Sequence, residues 1–87
     1  MKIFLKMVSS AGSPLECVPI RELWADPYQD ISVHRTDEDG KTAFYVPPNS
    51  KVKFNVYQDE ESWEVVKTVT YEIGGKEDKG KVFTVQP

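Results

Sequence analysis

Residues able to do covalent chemistry are scarce in this sequence. Its 87 residues include one histidine, His34, and one cysteine, Cys17. A hydrolytic triad needs a nucleophile, a base and an orienting acid within hydrogen-bond reach, and His34 is the only side chain suited to be the base. In the extended run 31–36 it shares a face with Ser32 and Thr36, opposite Ile31 and Val33. That alternation predicts a solvated histidine on a sheet surface. Cys17 would need to be held as a thiolate to act as a nucleophile. Lying between Glu16 and Val18, it is expected instead to be a small packed residue. A single cysteine also excludes an internal disulfide and any multi-cysteine zinc site. The sequence therefore predicts no catalytic residue, no resident metal and no cofactor.

Charge is more informative. The net charge is −3, with lysines and acids interspersed, which argues against the basic stripe that nucleic-acid binding requires. The acids gather in two runs, Asp37, Glu38 and Asp39, and then Asp59, Glu60 and Glu61. A hard cation takes about six to eight oxygen ligands, so a calcium site is the alternative to weigh. Asp at the start of a turn, however, bonds its own backbone. The first run is also no EF-hand loop, since Gly40 falls too early and Pro48 stands where the closing acid belongs. A basic protein partner steered by these six acids fits better. Trp24 and Tyr28, separated by Asp26 and Pro27, form a second candidate surface, an aromatic platform for a sugar or a protein. The alternative is that both rings cap the core. The run Gly74-Gly75-Lys76-Glu77-Asp78-Lys79-Gly80 reads as a mobile hairpin loop and matches no phosphate-binding loop, which requires a following helix.

These residues must be positioned by strands. Apolar and β-branched residues alternate with polar ones in short runs separated by Gly, Pro, Asn, Asp and Ser. Strands are expected around residues 3–9, 18–24, 31–36, 42–46, 51–57, 63–73 and 82–86. In 51–57, Val52, Phe54 and Val56 face the core while Lys51, Lys53, Asn55 and Tyr57 face water. Thr42, Phe44 and Val46 share the inward face of the preceding strand, and 47–50 is expected to close a hairpin between the two. The inward set of the second strand switches between Ile20 and Leu23, which suggests a bulge or an early end. The stretch 63–73 is long enough for a helix, but its Val and Thr content favours a strand. The result is a single all-β domain over residues 1–87, an antiparallel sandwich of about seven strands. If each strand crosses the sandwich, alternate turns meet at the same end. Asp37, Glu38, Asp39, Asp59, Glu60 and Glu61 then crowd one pole, on a remainder that carries +3. The connection 24–30, the turn 47–50 and the loop 74–80 fall at the other.

Three stretches carry a family resemblance: Ala11-Gly12-Ser13-Pro14-Leu15-Glu16-Cys17-Val18-Pro19-Ile20, Thr36-Asp37-Glu38-Asp39-Gly40-Lys41-Thr42-Ala43-Phe44, and Val46-Pro47-Pro48-Asn49. Together they resemble the transthyretin-like (prealbumin-like) sandwich modules, among them the carboxypeptidase regulatory-like domains and bacterial immunoglobulin-like modules. In that pattern a Pro-Leu pair opens the second strand, a Thr-Asp-x-x-Gly turn precedes an inward aromatic, and a Pro-rich turn follows. The sequence departs from it at Cys17, where a small glycine is common, and in its longer, more aromatic 24–30 connection. The resemblance implies a non-catalytic spacer, adhesive unit, virion decoration or regulatory appendage. The one enzyme branch it brings in, the hydroxyisourate hydrolases, uses several histidines and a C-terminal Tyr-Arg-Gly-Ser, and this sequence has neither.

The expected function is therefore a structural or protein-interaction module that binds another protein through an end loop or a strand edge, with Lys51, Lys53 and Lys67 discouraging uncontrolled edge pairing. The alternatives are a small inhibitor, of phage type, that uses the acidic end, and a carbohydrate-binding module that uses Trp24 and Tyr28. No membrane partner is expected: Lys6 breaks the apolar run after Met1 short of a signal sequence, and no stretch approaches the ~20 apolar residues of a span. A cytoplasmic or virion location follows if the chain is complete.

Overall fold

The computed structural model describes residues 1–23 and 33–87. Seven strands run in chain order, β1 (Lys2–Met7), β2 (Pro19–Leu23), β3 (His34–Arg35), β4 (Lys41–Tyr45), β5 (Ser50–Tyr57), β6 (Val65–Ile73) and β7 (Val82–Val85), with one 3-10 turn at Lys76–Asp78. They form a three-stranded sheet ordered β4-β1-β7 and a four-stranded sheet ordered β3-β2-β5-β6. The fold is an all-β sandwich. One pairing departs from the antiparallel expectation: β1 and β7 are parallel, with Phe4 opposite Val82 and Met7 opposite Val85. Alternation within a strand cannot distinguish the two senses of pairing, because the side-chain period is the same in both.

The core follows from alternation. Ile3, Leu5 and Met7 of β1 have no exposed surface, and neither do Ile20, Phe54 and Val56 from the facing sheet. Removing one such side chain from water contributes about 1.5–3 kcal/mol. A row of rings runs through this interior between the side edges of the sandwich. The His34 ring stacks on Phe44 at 4.1 Å between centroids, Phe44 meets Phe54 at 4.6 Å, Phe54 meets Tyr71 at 6.5 Å, and Tyr71 meets Phe83 at 4.2 Å. Three of these four contacts, at His34–Phe44, Phe44–Phe54 and Tyr71–Phe83, join one sheet to the other. Burial holds the Tyr71 phenol above its ordinary pKa.

Several sequence expectations change. His34 is not a solvated surface residue: besides stacking on Phe44, its Nδ1 lies 3.0 Å from the Ala43 carbonyl, to which it donates. His34 is half-buried and its face neighbour Thr36 is buried, so these two members of the face expected to be wet turn toward the interior. The turn 47–49 closes no hairpin, because β4 and β5 lie in different sheets; it is an arch over the core, in which Ser50 Oγ donates to the Pro47 carbonyl at 2.6 Å. The 74–80 segment is likewise an ordered crossover from one sheet to the other. Asp78 Oδ2 accepts from Gly74 N at 2.6 Å, Glu77 Oε1 accepts from Gly75 N at 2.9 Å, and Gly80 N donates to the Lys2 carbonyl at 2.8 Å. In β2 the buried side chains are Pro19, Ile20 and Glu22, not Leu23, and burial holds the Glu22 carboxyl above the usual carboxylate range. Lys51 and Lys53 belong to β5, which is interior to its sheet, so neither guards an edge.

Two predictions follow from this packing. Phe54→Ala removes the ring that links both halves of the row and should cost about 3–5 kcal/mol, whereas Phe83→Ala, at the half-buried end, should cost less; urea unfolding of the two variants ranks them. Glu22 holds its proton more tightly folded than unfolded, so its ionisation opposes folding as pH rises from the unfolded carboxylate value, about 4.3, towards the raised folded value. The stability of Glu22→Gln relative to the native protein should therefore increase as pH rises above the unfolded carboxylate value and level off above the raised folded one, as read from urea midpoints.

The acidic pole as candidate functional site

Strand register decides which turns meet. Lys6 of β1 lies opposite Lys41 of β4, so the end of β1 adjoins the 37–40 turn, and Met7 N donates to the Gly40 carbonyl at 2.8 Å. Pro19 lies opposite Arg35, and Ile20 opposite Val56, which brings the start of β2, the end of β3 and the end of β5 to the same end. The connections 8–18, 36–40 and 58–64 therefore share one pole. Asp37, Glu38, Asp39, Asp59, Glu60 and Glu61 all lie there, and Glu16 and Glu64 add to them.

The acids divide into two kinds. Asp37 Oδ1 accepts from Asp39 N and from Lys41 N, each at 2.9 Å. Asp59 Oδ1 accepts from Ser62 N at 2.7 Å, Glu61 N at 2.9 Å and Ser62 Oγ at 3.0 Å. These two carboxylates build their turns. The bond from the Ser62 backbone, helped by the Ser62 hydroxyl, holds the Asp59 carboxyl below the usual carboxylate range. Glu60 forms an exposed ion pair with Arg35 that reaches over β2 and ties the 58–64 connection to β3. Glu38, Asp39 and Glu61 are exposed, and their side-chain carboxylates take no part in these turn-forming bonds, to which Asp39 and Glu61 contribute only backbone N–H groups. Among the described residues, no group of three or more His, Cys, Asp and Glu side chains is arranged to hold a metal ion.

Beneath the turns the frame is tightly specified. Thr36 Oγ1 donates to the Leu15 carbonyl at 2.6 Å and accepts from Val18 N at 2.9 Å, locking the 8–18 connection onto β3. Gly40 has φ +76, and a Cβ there would stand 2.5 Å from the Met7 carbonyl oxygen, so only glycine fits this close approach. Cys17 departs from expectation: it is exposed, with φ +61, because the turn that carries Leu15 and Val18 inward rotates it outward. Its N–H donates to the Thr36 carbonyl at 2.9 Å and its thiol faces water, whereas His34 lies opposite Ile20 with its ring stacked on Phe44. Cysteine and histidine do not form a pair.

Two features went unforeseen. Tyr57, expected on the wet face, is buried; a register shift at Val56/Tyr57 breaks the alternation, and the Trp63 ring covers it edge-on at 5.4 Å. Trp63 was expected inside a strand but stands in the connection before β6, at φ +54, an unusual conformation for so bulky a residue. The Arg21 guanidinium carbon lies 4.2 Å from its ring centroid, a cation–π contact. The second feature is an apolar groove of about 360 Å³ lined by Leu15, Val18, Tyr57, Gln58, Val66 and Pro87. The aromatic residues flanking the 58–62 turn were the only sequence signal for either. Trp24 and Tyr28, the aromatic platform expected from the sequence, lie outside the described residues.

Thr36→Val keeps the shape but strands the Leu15 carbonyl and Val18 N–H, and it should cost about 1–3 kcal/mol. Loss of amide-exchange protection should concentrate at Val18, which hydrogen exchange read by NMR checks.

No family model matches this sequence, and no curated protein matches it. Among solved structures, the fold is similar to part of the Bacillus anthracis TIE protein, with a TM-score of 0.66 and 17% identity over 99% of this chain. The chain spans 16% of the length of that protein; at this identity the likeness is one of fold alone.

Proposed function

We propose that this domain is a non-catalytic protein-interaction module of the transthyretin-like kind, and that it meets a basic partner protein through its acidic pole. The observation that carries the reading is the register, which brings both acidic turns to one end and leaves Glu38, Asp39 and Glu61 exposed there. Such a field speeds encounter with a basic surface and selects against acidic ones. The non-catalytic part is supported by His34, whose ring is occupied in the core row, and by its separation from Cys17. The transthyretin-like part is supported by the Thr36-Asp37-x-x-Gly40 turn leading to the buried Phe44, and by the two-sheet arrangement. A small inhibitor acting through the same pole would use the same residues.

The test keeps Asp37 and Asp59, which build the turns, and neutralises Glu38, Asp39, Glu61 and Glu64 to their amides. Partners captured from the protein's own cells by the native domain should dissociate as salt is raised. Their affinity for the quadruple variant should fall about tenfold or more at low ionic strength. Equal binding by the variant, or binding indifferent to salt, would refute the reading.

A further inference from the structure

The acidic pole also holds an apolar opening. Between its turns the sandwich leaves the groove lined by Leu15, Val18, Tyr57, Gln58, Val66 and Pro87, whose volume lies at the low end of the roughly 300–1,000 Å³ typical of ligand sites. We propose that this groove receives one large apolar side chain from an extended basic segment of the partner protein, with lysine or arginine on either side of it meeting the acids of the rim. The inference rests on the interaction reading above and names the chemistry of the occupant.

Charge complementarity selects that occupant. Glu16 follows Leu15 in sequence, Asp59 and Glu60 follow Gln58, and Glu64 stands two residues before Val66. Asp59 and Glu60 are engaged in their turn and with Arg35, but Glu16 and Glu64 are exposed beside the lining residues. With Lys67, next to Val66, tied to the Gln86 carbonyl, these two acids favour cations beside the anchor and disfavour an acidic segment. The lining itself is largely apolar, so the anchor gains by leaving water. Val66 shows why the groove is open. The register shift opposite Tyr57 places Val65 against Tyr57 and Lys67 against Val56, leaving Val66 as the extra residue of a bulge and 46% exposed. Bulges re-aim side chains at sites of this kind. Tyr57 forms a firm wall because Trp63 packs edge-on against it. A wall ordered before binding spares the partner part of the cost of ordering.

The edge of β6 runs from this groove. It is the outermost strand of its sheet, and Lys67, its one basic residue, donates through Nζ to the Gln86 carbonyl at 3.0 Å, which ties its charge to the segment after β7. An extended segment anchored at Val66 can therefore add main-chain bonds along β6.

The test pans a random-peptide phage library against the native domain and measures selected peptides by fluorescence anisotropy. Selected sequences should carry a large apolar residue flanked within two positions by lysine or arginine. Their backbone-amide NMR shifts should map to Leu15, Val18 and Val66. Val66→Asp should weaken them at least about tenfold, and Glu64→Lys should weaken them without entering the groove; unchanged amide dispersion and urea midpoints show that both variants fold. Basic peptides lacking an apolar anchor, or binding equally to Val66→Asp, overturn the groove while leaving the acidic-pole reading intact. Peptides without basic residues, indifferent to Glu64→Lys, overturn both. Failure to select any peptide overturns the groove. So does concentration-dependent dimerisation, seen by sedimentation, that covers Val66 and that peptides cannot compete away; it would make the groove a contact between two copies.

Discussion

Everything in this molecule depends on keeping β1 dry. Ile3, Leu5 and Met7 have no exposed surface, and their strand is central, with β4 on one side and β7 on the other. A strand held this way needs a second sheet over its apolar face, and β2, β5 and β6 supply it with Ile20, Phe54 and Val56 beneath. Once two layers enclose one core, each strand must cross it, and reversals alternate between two ends. The placement of charge is thus a consequence of burial. Acids that stand far apart in sequence are gathered because the strands between them are committed to the core.

Gathering like charge has a cost, and the structure shows how it is contained. Asp59 accepts backbone and hydroxyl hydrogen bonds that favour its ionised form, and Asp37 accepts two backbone N–H groups of its own turn. Glu60 is opposed by Arg35. The remaining acids are exposed, where water and salt screen them over about 10 Å. Such pairs and turns contribute little to global stability. Their effect is local: they define the shape of the pole while Glu38, Asp39 and Glu61 set its field.

Strand positions were largely legible in the sequence because alternation is a local signal. Val52, Phe54 and Val56 are buried as the pattern requires, and the β-branched part of the 63–73 stretch, from Val65 on, forms β6. Sheet membership was not legible. Whether two consecutive strands pair as a hairpin or arch between layers depends on long-range packing, so the 47–49 and 74–80 reversals looked like hairpins and are crossovers. The parallel sense of β1 and β7 was hidden for the same reason. His34 misled because its polarity outweighed its register; a half-buried ring can stack one face on Phe44 and donate in its own plane to a carbonyl. At the pole, the acids were visible as runs of charge, while the groove was not, since it depends on a bulge and gathers residues from the 8–18 and 58–64 connections, from β5 and β6, and from the segment after β7.

Stability and recognition consequently draw on different residues. The row from His34 to Phe83 stitches the two sheets together, and none of its members lines the groove or belongs to the acidic runs. Edges show the same division. β3 has two residues and β7 four, too short to offer much to another chain. β6 has nine, keeps its inward side chains Val69, Tyr71 and Ile73 against the core, and leaves its first residues, Val65 and Val66, exposed beside the acids. Because the acids and the apolar opening are carried by rim residues on a frame fixed by the core, their charge and shape can change with little effect on folding, as the proposed partner-binding role requires.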